Sequence, residues 1–227
     1  MAKKFNVDKI FFKKWSHEMA YVLGFFLADG TFDITKRGGY YFGFNITDKE
    51  ILYEIRKTIG SEHKISERPV KPNESQSYRL QIGSKVMCED LLKLGVSPRK
   101  TSQLSVPTLP QQFVFDFIRG YFDGDGNVWF GYINKTREHP TFVMQITFTS
   151  GSTIYMQSLK NLLNEHGIKG GALYVPKDKN YARLTFSTTS AVALAEKMYR
   201  RVTPLFLKRK KTQIDLFISK WQSIKKV

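Results

Sequence analysis

VLGFFLADG at residues 22–30 is nearly repeated by IRGYFDGDG at residues 118–126. Each stretch is an apolar run with small residues four positions apart, and each closes on an acid followed by glycine. The two copies lie nearly half a chain length apart. A motif repeated at such a distance indicates a duplicated unit. We therefore expect two related halves whose motifs meet.

The small residues of both motifs fall on one helical face. Gly24 with Ala28, and Gly120 with Gly124, are separated by four positions, about one helical turn. Glycine inside a helix costs roughly 1 kcal/mol relative to alanine. Close approach of two helix backbones would offset this cost in both copies, so we predict that these four residues form a helix–helix interface.

Alternating sequence follows each motif. Polar and apolar residues alternate over residues 41–46 and 77–82 of the first half, and over residues 144–149 and 182–187 of the second. Strict alternation predicts the strands of a sheet with one buried face and one polar face. The polar faces are rich in Arg, Gln, Asn, Thr and Tyr, and poor in acids.

Helical segments separate the strands at matching places in the two halves. Thr47 to Glu50 matches a capping box, which predicts a helix that ends at Gly60. The counterpart begins near Ser152 and ends at Gly167. Further helices are predicted at residues 85–94, 189–202 and 211–224.

Each half therefore consists of a helix, two strands, a helix, two strands and a helix. The sequence PTLP at residues 107–110 marks the joint. We predict an α+β fold of two pseudo-symmetric αββαββα half-domains, residues 1–106 and residues 107–227. The second half-domain carries an additional basic C-terminal helix.

The charge of the chain favours a polyanionic partner. The 227 residues include 36 Lys and Arg against 20 Asp and Glu, a net charge of +16. Such a field points to nucleic acid ahead of an anionic membrane. On charge alone, a basic structural protein bound to RNA is an alternative.

The remaining composition excludes several classes. Cys88 is the one cysteine, so a disulfide or a thiolate metal cage within the chain is excluded, and the four histidines are scattered. The start lacks the apolar run of a secretory signal, and no apolar stretch is long enough to cross a bilayer. We expect a soluble intracellular protein, cytoplasmic or organellar, without a membrane partner.

Asp29 and Asp125 close the two motifs. Simple helix termination, with Gly30 and Gly126 in the left-handed conformation, is one explanation. However, an acid at a helix C-terminus faces the negative end of the helix dipole, at a cost of roughly 0.3–1 kcal/mol. If the glycine faces pack together, the two carboxylates also crowd each other. We therefore predict a shared cation, and carboxylate oxygens suit Mg²⁺.

A calcium loop is a poor alternative for the second motif. Residues 123–134 start like such a loop, but Val128 and Asn134 stand where glycine and glutamate are required. Asp123 has Leu27 as its match in the first motif, so we assign Asp123 a capping or structural role.

These residues resemble the LAGLIDADG homing endonucleases, specifically a single-chain member with two motifs. The resemblance covers both nonapeptides and the helix and strand order of nearly the whole chain. It implies a pseudo-twofold monomer with the motif helices at its centre. It also implies two saddle-shaped antiparallel sheets along the major groove of a long, asymmetric DNA site. Both strands would be cut across the minor groove, leaving short 3′ overhangs.

The resemblance also implies the catalytic residues. Asp29 and Asp125 match the family's metal-binding acids, with Ala28 and Gly124 beside them in the metal site. Mg²⁺ is the expected cofactor, with Mn²⁺ able to substitute and Ca²⁺ able to bind without supporting cleavage. One lysine per half would act near the scissile phosphates; the candidates are Lys100, Lys210 and Lys211.

The polar strand faces and nearby loops supply the candidate base readers. Arg recognises guanine, and Gln or Asn recognises adenine, through paired hydrogen bonds in the major groove. The candidates for DNA binding are Thr31, Asp33, Arg37, Tyr41, Asn45, Arg68, Arg79, Gln81, Asn127, Trp129, Lys135, Gln145, Thr147, Lys177 and Arg183.

The leading hypothesis is a site-specific, Mg²⁺-dependent double-strand DNA endonuclease of the intron-homing type. The alternative is the same fold without cleavage, as an RNA-splicing maturase that binds host intron RNA or as a DNA-binding regulator. Retention of both acids favours cleavage. No flanking splicing residues are visible, so we do not expect an intein.

Overall fold

The computed structural model describes residues 5–70, 75–97 and 105–224. In the first half the elements follow the predicted order. They are α1 (His17–Asp29), β1 (Gly30–Ile34), β2 (Tyr40–Ile46), α2 (Lys49–Thr58), β3 (Ile65–Glu67), β4 (Tyr78–Gly83) and α3 (Lys85–Lys93).

The second half repeats this order and adds one helix. Its elements are α4 (Val114–Asp125), β5 (Gly126–Ile133), β6 (Thr141–Ser150), α5 (Thr153–Glu165), β7 (Ala172–Tyr174), β8 (Ala182–Ser187), α6 (Thr189–Met198) and α7 (Lys208–Ile224).

Each half forms its own four-stranded antiparallel sheet. The strand orders are β1-β2-β4-β3 and β5-β6-β8-β7, so the two sheets have the same topology. In β4, Leu80 and Ile82 are buried while Arg79 is exposed, and β8 repeats this alternation. The predicted α+β fold of two repeated αββαββα halves is confirmed.

The motif helices α1 and α4 pack at backbone contact. A Cβ atom added to Gly24 would lie 2.1 Å from the carbonyl oxygen of Phe117, and one added to Gly120 would lie 2.0 Å from that of Tyr21. A Cβ on Gly124 would lie 2.3 Å from the Cβ of Ala28. No side chain fits these positions, so the predicted pairing of the motif helices is confirmed as part of the fold.

The transition from each motif helix to its sheet differs from simple left-handed termination. Gly30 has φ −71° and ψ 151°, an extended conformation, and the strand β1 starts on it. Gly126 likewise starts β5 and does not have a positive φ. Glycine is needed at position 30 for space, because a Cβ there would lie 2.3 Å from the Phe26 carbonyl oxygen.

Several helix ends differ from the predictions by a few residues. Asp48, not Thr47, occupies the N-cap of α2. The helix ends at Thr58, two residues before Gly60, which has φ +61°. α6 ends at Met198 instead of residue 202. α7 begins at Lys208, because the Leu207 carbonyl already accepts hydrogen bonds from the next turn.

The chain divides into two compact units that do not follow the repeat. Within the described ranges, one contains residues 5–70, 75–97, 107–124 and 203–206; the other contains residues 105–106, 125–202 and 207–224. The first is built on α1, α4 and the aromatic residues of β2. In the second, Phe217 of α7 stacks on Phe142 at 5.1 Å between ring centroids. The division into half-domains at residue 106 stays a prediction.

Candidate nucleic-acid interface

The two motif acids lie where a helix passes directly into a sheet. Asp29 ends α1, is half-buried, and is followed at once by β1. Its Oδ2 atom lies 3.5 Å from the place that a Cβ on Gly124 would occupy. Asp125 ends α4, is exposed, and is followed at once by β5. Each carboxylate therefore lies immediately before the first strand of its sheet.

Asp123 is a buried structural residue. It is 1% exposed, and its Oδ2 accepts a hydrogen bond of 2.9 Å from the Tyr21 hydroxyl. This bond links α4 to α1. This geometry agrees with the structural role predicted for Asp123, which has Leu27 and not an acid as its match in the first motif.

A buried charge network at the other end of α4 was not anticipated from the sequence. Arg119 is 2% exposed. It donates one hydrogen bond of 2.8 Å to Asp116 and another of 3.0 Å to the Leu205 carbonyl. Asp116 also lies 2.7 Å from Nδ1 of His17. A buried arginine must be paired, and the Asp116–Arg119 spacing of one helical turn was the signal that could have revealed it.

The polar face of the first sheet forms a groove of about 220 Å³. Gly43 lies at the centre of β2 with no side chain, and a Cβ there would lie 2.2 Å from the Leu80 carbonyl oxygen. All but one of the groove residues were predicted to bind DNA, the exception being Phe42. The groove is lined by Thr31, Asp33, Tyr41, Phe42, Asn45, Arg68, Arg79 and Gln81.

Two further observations concern the predicted readers of the first half. Oδ1 of Asn45 is buried and has no hydrogen-bond partner. A buried acceptor without a donor costs roughly 1–3 kcal/mol, so this groove favours a ligand that brings donors. Arg37 lies apart from the groove, exposed in the turn between β1 and β2.

The second sheet has matching rows of side chains. Asn127 faces Thr147 in the register, and Trp129, 44% exposed, faces Gln145. Arg183 is exposed on β8, whereas Lys135 and Lys177 lie in exposed turns. Three residues outside the candidate set pair in register with predicted readers: Thr149, Thr185 and Ser187.

The lysine candidates Lys210 and Lys211 differ in their burial and in their hydrogen-bond partners. Lys210 is 4% exposed, and its Nζ donates a hydrogen bond of 2.5 Å to the carbonyl of Gly126, the residue that follows Asp125. Lys211 forms an ion pair with Asp215 at 2.6 Å on its own helix. Lys100 lies outside the described residues.

The donor set at the motif ends suits a hard cation. Among the described residues there is no group of three or more His, Cys, Asp or Glu that could hold a metal by itself. The Asp29 carboxylate lies against the backbone of Gly124, with 3.5 Å between its Oδ2 and the position that a Cβ on this glycine would occupy. The ends of both helices also present the negative end of the helix dipole, which attracts cations. Few carboxylates, completed by water and phosphate oxygens, are the usual ligands of Mg²⁺.

Cys88 takes no part in this site. Its side chain is buried in α3, and burial raises the pKa of the thiol to about 12. The thiol is therefore protonated at neutral pH and belongs to the core. Within the described part of the chain, no helix is long and apolar enough to span a bilayer.

The paired glycine-bearing helices and the duplicated sheets define a LAGLIDADG-type protein. The LAGLIDADG-like domain matches residues 16–95 and 112–199, so the chain belongs to this family. Its fold is that of solved LAGLIDADG homing endonucleases. I-LtrWI bound to target DNA superposes with a TM-score of 0.61 at 14% identity, covering 92% of this chain and 91% of that one. I-AabMI bound to uncleaved DNA gives 0.61 at 13% identity, with 91% of each chain covered.

A third structure includes a cation. I-SmaMI bound to its uncleaved DNA target in the presence of calcium ions gives a TM-score of 0.53 at 14% identity, covering 82% of this chain and 85% of that one. At these identities, the three structures establish the fold.

Curated relatives match about half of this chain. DNA-directed RNA polymerase subunit Rpo1C of Methanocaldococcus jannaschii is 32% identical over 120 residues, which are 51% of this chain and 13% of that protein. An A-type ATP synthase subunit of Methanopyrus kandleri is 28% identical over 116 residues, 51% of this chain and 11% of that protein. This chain therefore spans only a small part of the length of these relatives.

Proposed function

We propose that this protein is a site-specific endonuclease that hydrolyses both strands of a long, asymmetric double-stranded DNA target with Mg²⁺ and leaves 3′ overhangs. One observation carries the proposal. Each motif helix ends on an acid, and a strand with a polar outer face begins at the next residue. The same elements thus supply metal ligands and base-reading side chains.

The sheets support recognition of duplex DNA. Arg79 and Gln81 project from one strand into the groove of the first sheet, and Gln145 and Arg183 occupy the polar face of the second. Guanidinium and amide groups read purines in the major groove. The net charge of +16 neutralises phosphates and supplies sequence-independent affinity.

The motif ends support hydrolysis. Asp29 and Asp125, together with Ala28 and Gly124 at the helix ends, hold Mg²⁺ in this proposal. When bound, Mg²⁺ lowers the pKa of a coordinated water and stabilises the leaving oxygen. Mn²⁺ substitutes for Mg²⁺, whereas Ca²⁺ binds without supporting cleavage. Lys210, beside the start of β5, stabilises negative charge that develops at the phosphate.

Cleavage of a random duplex library in Mg²⁺, with Ca²⁺ and EDTA as controls, tests the proposal. Double-strand cuts at one sequence, in Mg²⁺ only, are expected. Selective DNA binding without cuts would instead favour the regulator, and selective binding of structured RNA would favour the maturase. Absence of selective nucleic-acid binding would refute all three.

DNA affinity is expected to fall steeply with salt. Each phosphate neutralised by Lys or Arg releases counterions, and a protein with several such contacts loses about 10³- to 10⁵-fold in affinity between roughly 50 and 200 mM salt. Fluorescence anisotropy with a labelled target duplex measures the slope. A flat profile would contradict DNA binding through the basic surface.

Lys210→Met is expected to lower the cleavage rate by about 10²- to 10³-fold, the usual effect of removing one group that stabilises transition-state charge. Lys211→Met, which removes the same charge from a residue already paired with Asp215, is the matched control and should change the rate less than about fivefold. Single-turnover cleavage with saturating enzyme measures both. Equal losses in the two variants, or a loss explained by weaker DNA binding, would contradict the assignment.

A further inference from the structure

Asp33 is the one acidic residue among the described residues that line the groove of the first sheet. It lies in β1, is exposed, and lines the groove together with Arg68 and Arg79. The eight strands that the structure describes contain one other acid, Glu67, and this residue forms an ion pair with Lys49 at 3.0 Å. Asp33 forms no ion pair with any residue in the described ranges. It is therefore the one acidic side chain that these strands present to the groove.

Neither folding nor affinity accounts for an acid at this position. Aspartate is among the residues least favoured in strands. A carboxylate in a basic groove also repels the phosphates of any bound nucleic acid, because like charges weaken electrostatic complementarity. Asp33 thus weakens both the strand and the binding of a polyanion. We therefore expect its role to be in specificity, because such a residue can distinguish one nucleic-acid sequence from another.

The chemistry of the carboxylate selects one base. An ionised carboxylate accepts hydrogen bonds and donates none. In the major groove, guanine presents two acceptors and thymine presents an acceptor and a methyl group, so both are disfavoured. Adenine presents a donor beside the N7 acceptor, whereas cytosine presents only the N4 amino donor. Cytosine is therefore the base that a carboxylate accommodates best.

We propose that Asp33 is a specificity-determining residue, which accepts a hydrogen bond from N4 of one cytosine in the part of the DNA target bound by the first sheet. This inference rests on the proposed function. The second sheet has no counterpart among its described residues, because Trp129 occupies the matching position: Asp33 pairs with Tyr41, and Trp129 pairs with Gln145. The cytosine preference due to this position is therefore confined to one half of the target.

The test compares base preference at every target position for the wild type, Asp33→Ala and Asp33→Asn. Competitive binding is measured in Ca²⁺ on duplexes derived from the target selected by the wild type, each with one base pair changed. Asp33→Ala is expected to reduce a cytosine preference of about 10- to 100-fold to near unity at one position. Asp33→Asn is expected to change this preference to adenine, since an amide pairs with N6 and N7 of adenine.

Glu89→Gln is the matched control, because it removes the same charge from the exposed surface of α3. It should leave every base preference unchanged. Circular dichroism should show that all variants are folded, as expected for changes at exposed side chains.

The outcomes separate the inference from the proposed function. If the wild type discriminates among sequences but the Asp33 variants keep all of its preferences, the inference is wrong and the proposed function stands. The same conclusion follows if the position that changes prefers a base other than cytosine, or if all positions change equally. If the wild type shows no selective binding to DNA, both are wrong.

Discussion

Asp29→Asn and Asp125→Asn are each expected to abolish double-strand cleavage, with a loss of at least about 10³-fold in rate. The substitution keeps the shape of the side chain but removes the negative charge that, in the proposed function, holds the cation. A bound divalent ion contributes several kcal/mol of transition-state stabilisation, and each 1.36 kcal/mol corresponds to about tenfold in rate. DNA affinity should be retained or increased, since one negative charge is removed beside the phosphates.

Cleavage of a supercoiled plasmid carrying the target measures this effect, because nicked and linear products separate on a gel. Glu89→Gln, with the same change in charge on α3, is expected to cleave like the wild type. Wild-type rates of linear product in both aspartate variants would refute the assignment of the metal ligands. A loss of cleavage that paralleled a loss of binding would also contradict it.

Gly120→Ala is expected to lower the free energy of unfolding by about 2–4 kcal/mol. The added Cβ would lie 2.0 Å from the Tyr21 carbonyl oxygen and 2.8 Å from the Phe25 backbone nitrogen. Overpacking against side chains costs about 1–3 kcal/mol and occasionally more. Backbone atoms held in a helix yield less readily, so we expect a cost of about 3–5 kcal/mol here. The gain in helix propensity, roughly 1 kcal/mol, offsets only part of this cost.

Thermal denaturation measures this loss as a decrease in Tm of about 4–16 °C, given roughly 2–4 °C per kcal/mol for a chain of this size. Gly151→Ala is the matched control. The nearest heavy atom to a Cβ at that position is the Asn180 carbonyl oxygen at 3.7 Å, an ordinary contact. Equal changes in Tm for both variants would contradict the role of Gly120 in close helix packing.

The fold could be predicted because its signals are local or repeated. In β4, the alternation of Arg79 and Gln81 with Leu80 and Ile82 identifies the polar face, since successive side chains of a strand point to opposite sides. Two glycine-bearing helices in one chain indicated a close pairing that one such helix would not. Helix ends were less certain: α6 stops at Met198 without a glycine to mark the position.

The candidate site was only partly predictable. The sequence placed Thr31, Asn45 and Arg79 on polar faces, but it could not show that they line one groove, because the groove depends on the register of β1, β2 and β4. It also offered no choice between Lys210 and Lys211. Neighbouring residues of a helix point about 100° apart, and only the packing of α7 decides which one contacts Gly126.

By itself, the sequence determined the duplicated architecture, the motif helices that pair, the faces of the strands and the excess of positive charge, because periodicity, glycine placement and composition act through local geometry and net charge. The tertiary structure alone decided the extended conformation of Gly30, the burial of Arg119 and Lys210, and the placement of Asp33 in one groove with Arg68 and Arg79. These features depend on contacts between residues far apart in the chain, and such contacts set the space and the partners available to each side chain.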